Sequence, residues 1–224
     1  MLSWHAGFLF CPIPCYFRYG AATARNHHER DNKMTFKKLS LALIAAASAS
    51  FAVAAPVTYT IEPTHTYPSF EADHMGGVSI LRGKFLKTSG TITLDRAAKT
   101  GAVDITVDTS TLDFGNAKLN EHAKGPDMFD VAKFPVSTFK ANKITFNGDI
   151  PATAEGEFTL HGVTKPLTLT INRFKCIDHP RLKREVCGAD VTGTFKRDDF
   201  GITYGMPTFF PEVKLLIEVE AIKN

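Results

Sequence analysis

The sequence predicts an all-β fold: seven or eight short antiparallel strands in one domain, with one or two short helices. Three observations carry this. Beyond residue 55 apolar residues recur at every second position, turn residues punctuate those runs, and only one stretch has helical spacing. In chain order, Phe70, Ala72 and His74 alternate with Glu71, Asp73 and Met75. Ile92 and Leu94 alternate with Thr91, Thr93 and Asp95, and Val103, Ile105 and Val107 with Asp104, Thr106 and Asp108. Such runs are antiparallel strands with one face buried and the other solvated. Residues 116–123, with Ala117, Leu119, Asn120 and His122, suit a short helix, and residues 126–131 a further turn. Alternation returns in Phe158 and Leu160, in Leu167, Leu169 and Ile171, in Val191, Gly193 and Phe195, and in Val213, Leu215, Ile217 and Val219. Asn147-Gly148-Asp149 marks a turn.

Periodicity alone does not choose between a sandwich and a barrel. Composition tilts toward a barrel. From residue 55 onward there are 13 of the 18 phenylalanines and no tryptophan. Phe70, Phe85, Phe139, Phe146, Phe158 and Phe195 take inward positions, with Ala72, Gly83 and Gly193 as small neighbours. A barrel of about eight strands either fills with side chains or encloses one apolar ligand. For any single phenylalanine a packed aromatic core is the simpler role.

At 44% hydrophobic and 22% charged residues the chain has the composition of a globular protein. Its net charge of +3 is unevenly spread. Residues 1–54 hold six Lys/Arg and two Asp/Glu, so the remainder is near neutral at −1. A body without a basic stripe argues against a nucleic-acid partner, whose phosphates must be neutralised. Residues 34–54 read as a secretory signal peptide: Lys37 and Lys38, then an Ala/Leu-rich run, then Ala52-Val53-Ala54 before Ala55 and Pro56. The run is shorter than the roughly 20 apolar residues of a membrane span and carries Ser40, Ser48 and Ser50. We expect export to the periplasm, or secretion, with the mature chain at 55–224. Residues 1–33 have no place in that signal, and we expect them to be an upstream start-site extension, with translation beginning at Met34.

Cys176 and Cys187 remain after the leader, and in an oxidising compartment a disulfide is the default. Strand-like segments flank Asp178-His179-Pro180, so a hairpin would face the two sulfurs. The short loop limits the stabilisation to about 3 kcal/mol. The spacing fits neither C-x-x-C nor a zinc pattern.

The opening Tyr59-Thr-Ile-Glu-Pro-Thr-His65, then Ser69-Phe70-Glu-Ala-Asp-His74, Leu81-Arg-Gly-Lys-Phe85 and Gly90-Thr-Ile-Thr-Leu-Asp95 are similar to the start of the YceI-like family. Met128-Phe-Asp-Val-Ala-Lys-Phe-Pro135, Gly156-Glu-Phe-Thr-Leu-His-Gly-Val-Thr-Lys165 and Lys196-Arg-Asp-Asp-Phe-Gly-Ile202 are similar to its later pieces. The resemblance implies an extended antiparallel lipocalin-like β-barrel. Its bore would hold an isoprenoid or other long-chain amphiphilic lipid, of ubiquinone or polyprenyl phosphate type, and no catalytic cofactor. By alternation and apolar size the expected bore residues are Phe70, Phe85, Ile92, Phe139, Phe146, Phe158, Leu160, Leu169 and Phe195. His74 shares the face of Phe70 and Ala72, and Arg82 is a second candidate for the lipid's head group.

His65, His74, His122 and His161 show no i,i+2 or i,i+4 spacing, so no metal site is expected. No G-x-S-x-G elbow, P-loop, Gly-rich dinucleotide turn or H-E-x-x-H occurs. Asp198 and Asp199 are adjacent, and on a strand they would face opposite ways. We therefore expect a carrier or reservoir and no enzyme. A lipid-modifying hydrolase and a filled-barrel surface interaction protein are the alternatives. Arg181, Lys183 and Arg184 at a hairpin tip offer a transient membrane contact, and a homodimer is left open.

Overall fold

The computed structural model describes residues 55–224. The expected extension at 1–33 and signal peptide at 34–54 lie outside the described residues. The elements are β1 (Val57–Ile61), β2 (Tyr67–His74), β3 (Ser79–Phe85), β4 (Thr88–Asp95), β5 (Thr100–Asp108), β6 (Leu112–Asp113), α1 (Ala117–Lys124), β7 (Val136–Asn147), β8 (Ile150–Leu160), β9 (Val163–Asp178), β10 (Glu185–Lys196) and β11 (Glu212–Lys223).

Among the described residues the eleven strands make eight staves of a closed antiparallel barrel. β1 and β2 lie end to end along β11, β1 pairing with Ala221 to Lys223 and β2 with Val213 to Glu218. β3 and β4 are separated only by Leu86 and Lys87, and β5 and β6 by the 3-10 turn Thr109–Thr111. Each stave pairs with the next, and β11 returns to the first. The excursion between β1 and β2 keeps its ladder bonded. Glu62 N donates to Glu220 O at 2.9 Å, while Thr66 Oγ1 donates to Glu220 O and accepts from Glu220 N, each at 3.1 Å. A buried threonine hydroxyl thus stands in for missing backbone groups.

Local chemistry explains the corners. The β8–β9 connection is two residues, His161 and Gly162, both at positive φ (51° and 76°), as a tight hairpin requires. Asn116 caps α1, its Oδ1 accepting from Leu119 N at 3.0 Å. The further turn expected over 126–131 is a set of hydrogen-bonded turns, such as Asp130 N to Gly125 O at 2.8 Å, and not a second α-helix. Besides α1 the helical features are two 3-10 turns among the described residues, Thr109–Thr111 and Arg197–Phe200.

Alternation alone would place Phe139 and Phe146, seven apart, on opposite faces. A bulge between Ala141 and Lys143, where two steps on β7 match one on β8, resets the parity, so Ile144 also points inward. The irregularity at Asp190/Val191 does the same on β9, bringing both Ile171 and Phe174 inside. Outer faces carry polar cross-strand pairs, among them Lys140–Asp104, Lys143–Glu155 and Thr58–Thr93. Apolar inside and polar outside is the reverse of an outer-membrane barrel.

Cys176 and Cys187 stand directly opposite on β9 and β10 and form the expected disulfide. Its short loop predicts a loss of about 3 kcal/mol in the Cys176→Ser/Cys187→Ser double variant, read as a lower urea midpoint. The circular dichroism of the sheet is expected to persist, because barrel closure lies on β11.

Candidate ligand-binding bore

The inward faces of the staves enclose a continuous cavity of about 410 Å³. Its wall is almost wholly apolar: Val103, Ile105 and Val107 from β5, Leu167, Leu169 and Ile171 from β9, and Val213, Leu215, Ile217 and Val219 from β11. Gly83 faces Phe70 across the β2–β3 ladder, and a Cβ there would sit 2.6 Å from Phe70 Cζ. The glycine lets that ring lie across the wall.

The meander sends the β2–β3, β5–β7, β8–β9 and β10–β11 connections to one end and the β4–β5, β7–β8 and β9–β10 turns to the other. The second end is shut. Tyr59, 1% exposed, donates its hydroxyl to Glu185 Oε1 at 2.5 Å, and Arg96 Nη2 donates to Glu185 Oε2 at 3.3 Å. Burial, and then the bond to the Glu185 carboxylate, push the Tyr59 phenol up to about 12. The same bond, against the opposing effect of desolvation, holds Glu185 below the usual carboxylate range.

The first end forms a mouth. His122 of α1 and Tyr204 of the β10–β11 loop line the bore and are exposed. A chain of rings follows the rim: His122–Tyr204 at 4.8 Å, Tyr204–Phe209 at 6.4 Å and Phe209–His74 at 5.2 Å between centroids. The Asp73 carboxylate ties two loops of this rim together, accepting from Gly76 N (2.9 Å), Gly77 N (2.6 Å) and Phe210 N (2.9 Å). Desolvation works against its charge, but the Phe210, Gly76 and Gly77 donors outweigh that effect and lower its pKa. Just inside, Phe85 and Phe114 pack on Phe70 with centroids 5.9 and 5.6 Å away.

Among the described residues, two buried polar atoms of the wall have no partner, Thr88 Oγ1 and Arg197 Nη2. A buried unsatisfied hydroxyl costs about 1–3 kcal/mol and a charged group more, so Arg197 is the more expensive of the two.

A YceI-like domain model matches residues 59–221. The chain belongs to the YceI-like family. A UPF0312 protein of Pseudomonas aeruginosa is 33% identical over 192 residues, covering 84% of this chain and 99% of that protein. The crystal structure of a Campylobacter jejuni YceI protein superposes with a TM-score of 0.55 at 25% identity, covering 66% of this chain and 87% of that one. A polyisoprenoid-binding domain from Saccharophagus degradans shares the fold with a TM-score of 0.54 at 14% identity, covering 74% and 98%.

In this YceI-like barrel Phe70, His74, Phe85, Ile92, Phe139, Phe158, Leu160, Leu169 and Phe195 all line the cavity. Phe146 does not: it faces inward on β7 but packs into the core cluster away from the cavity wall. Arg82 is also misplaced. It lies between the inward Leu81 and Gly83, points outside, and donates to Glu71 Oε1 at 2.9 Å with its side chain 71% exposed. Arg181, Lys183 and Arg184 sit on the β9–β10 turn, at the end opposite the mouth. Asp198 and Asp199 lie exposed in a 3-10 turn and not on a strand.

The histidines form no three-ligand cluster among the described residues. His65 is exposed and pairs with Glu62 at 2.6 Å, while His161 donates from Nδ1 to Phe200 O at 3.1 Å beneath Phe134. Cys176, Glu185 and Cys187 lie close together, but both sulfurs are committed to the disulfide. Arg197 and the aromatics Phe114, Phe129, Tyr204 and Phe209 were missed by pattern because they lie outside strands, where alternation is silent. Arg197 lies within the Lys196-Arg-Asp-Asp-Phe-Gly-Ile202 motif, where nothing in the local sequence marks it as buried.

The closed end gives a pH test. Tyr59 is expected to ionise near 12 by ultraviolet absorbance, against about 10 for a free phenol. A raised folded-state pKa stabilises below the unfolded value, so that contribution is complete below about pH 10 and lost as pH rises through about 12. Tyr59→Phe should remove the transition near 12 altogether.

Proposed function

We propose that this YceI-like protein is a periplasmic or secreted binding protein that holds one isoprenoid lipid in its bore, as carrier or reservoir. The observation that carries the reading is the unfilled apolar cavity of about 410 Å³, open at a rim of aromatic rings and shut at the other end by Tyr59 and Glu185. A one-ended apolar tube suits a long tail with one polar head. The polyisoprenoid-binding domain of the same fold lends support to that ligand class.

Magnitudes agree. At about 0.8 kcal/mol per methylene, ten buried methylenes supply roughly 8 kcal/mol, the scale of micromolar binding. A tail of about 40 carbons would nominally exceed 30 kcal/mol, above the practical ceiling near 20, so ordering must absorb the excess. Tight binding and slow release follow.

Loading from a bilayer would use the mouth and not the basic tip. Met75, Val78 and Phe210 are 52%, 77% and 55% exposed. The Asp73 clamp brings the β2–β3 turn against the β10–β11 loop, so these apolar side chains share one rim. They present the opening of the bore to a lipid surface.

The test is mass spectrometry of an organic extract of the purified protein, beside its intact native mass. About one isoprenoid species per chain is expected. A clean extract with no uptake of added ubiquinone would sink the reading and leave a filled-barrel interaction protein. As a second check, Ala72→Trp or Ala189→Trp, both at cavity-wall positions, should fill the bore and weaken ubiquinone uptake by about tenfold or more at preserved fold.

A further inference from the structure

Arg197 is what an apolar bore by itself leaves unexplained. It opens the 3-10 turn after β10, is only 7% exposed, and belongs to the cavity wall. Its Nη1 donates to Ile202 O at 2.9 Å, while Nη2 is buried without a partner among the described residues. A guanidinium has donors only and keeps its charge, so a buried free arm demands an acceptor. Native buried donors are nearly always paired, and an orphan in a cavity wall points to a ligand that supplies the missing oxygen.

The neighbouring charges indicate what kind of oxygen. Asp198 and Asp73 both act on Arg197 electrostatically, yet neither bonds it. The Asp73 oxygens are occupied by Gly76, Gly77 and Phe210 N–H groups, and Asp198 is exposed. One cation therefore already sits among two carboxylates. A phosphate head would bring further negative charge into that field, with like charges destabilising one another. A carbonyl accepts the bond and adds no charge.

We propose that Arg197 reads the head group of the bound lipid, its Nη2 donating to a carbonyl oxygen of an uncharged, quinone-like head. The head then lies at the mouth side of the bore and the tail runs toward Phe174 and the closed end. This inference rests on the lipid-binding reading above and adds to it the class of head and the residue that selects it.

Three probes separate the two. Lipid-stripped protein is titrated with a long-chain ubiquinone, with squalene as an isoprenoid hydrocarbon lacking oxygen, and with a polyprenyl monophosphate. The wild type is expected to bind the quinone about tenfold or more tightly than squalene, the factor a bond from a charged donor is worth, and more tightly than the phosphate. Arg197→Met should shrink the quinone–squalene gap to about twofold, with squalene binding unchanged. A gap that survives in Arg197→Met, or a preference for the phosphate, overturns the assignment of Arg197 while leaving the lipid bore intact. Binding of none of the three removes the bore reading and this inference with it. If Arg197→Met fails to fold, infrared spectroscopy of carbonyl-labelled ubiquinone on the Thr88→Val protein, which lacks the wall's other unpaired donor, decides. A downshifted carbonyl stretch relative to hydrocarbon solution is expected, and an unshifted band overturns the proposal.

Discussion

Everything in this barrel depends on β11 serving two partners along one edge. Its C-terminal end pairs with β1 and its N-terminal end with β2, and without that double pairing the meander would be an open sheet with two unsatisfied edges. Closure sets the number of staves, and the number of staves sets the width of the interior. Thr66 is the hinge of this arrangement: its hydroxyl carries the ladder across the excursion between β1 and β2 by bonding both the N–H and the C=O of Glu220. A space that eight staves of aliphatic residues and phenylalanine enclose without filling is therefore a consequence of backbone pairing first and of side-chain choice second.

The two ends then divide the chemistry. At the closed end Tyr59 and Arg96 both donate to the Glu185 carboxylate, one to each oxygen. At the mouth the polar groups are clamps, with Asp73 tying the β2–β3 turn to the β10–β11 loop, and the rim is left to rings and exposed apolar side chains. Among the described residues three buried side-chain polar atoms lack a partner, Thr88 Oγ1 and Arg197 Nη2 in the cavity wall and His161 Nε2 in the β8–β9 turn, and none of them lies at the closed end. That asymmetry gives the tube a direction.

Strand content was legible because a half-buried strand repeats every two residues, and β5, β9 and β11 keep that habit over most of their length. The same rule, applied strictly, sends Arg82 outside, since Leu81 and Gly83 on either side face in; the partner Glu71 on the next strand confirms the geometry. Phe146 shows the opposite failure. Its inward direction is the product of a bulge at Ala141–Lys143 that no local pattern announces, and its distance from the cavity is a matter of where the core clusters close.

The amino-acid sequence by itself determined the all-β class, the short capped helix, the cross-strand disulfide and most of the apolar wall, because each follows from local periodicity, turn chemistry or neighbouring cysteines. Only the tertiary structure decided which residues meet at the mouth, that the basic β9–β10 tip lies at the other end, and that Arg197 is buried with a free donor. Those facts arise from loops brought together across the barrel, between residues as far apart in the chain as Asp73 and Phe210. Such pairings depend on closure of the whole sheet, a long-range constraint that carries no local periodic signature.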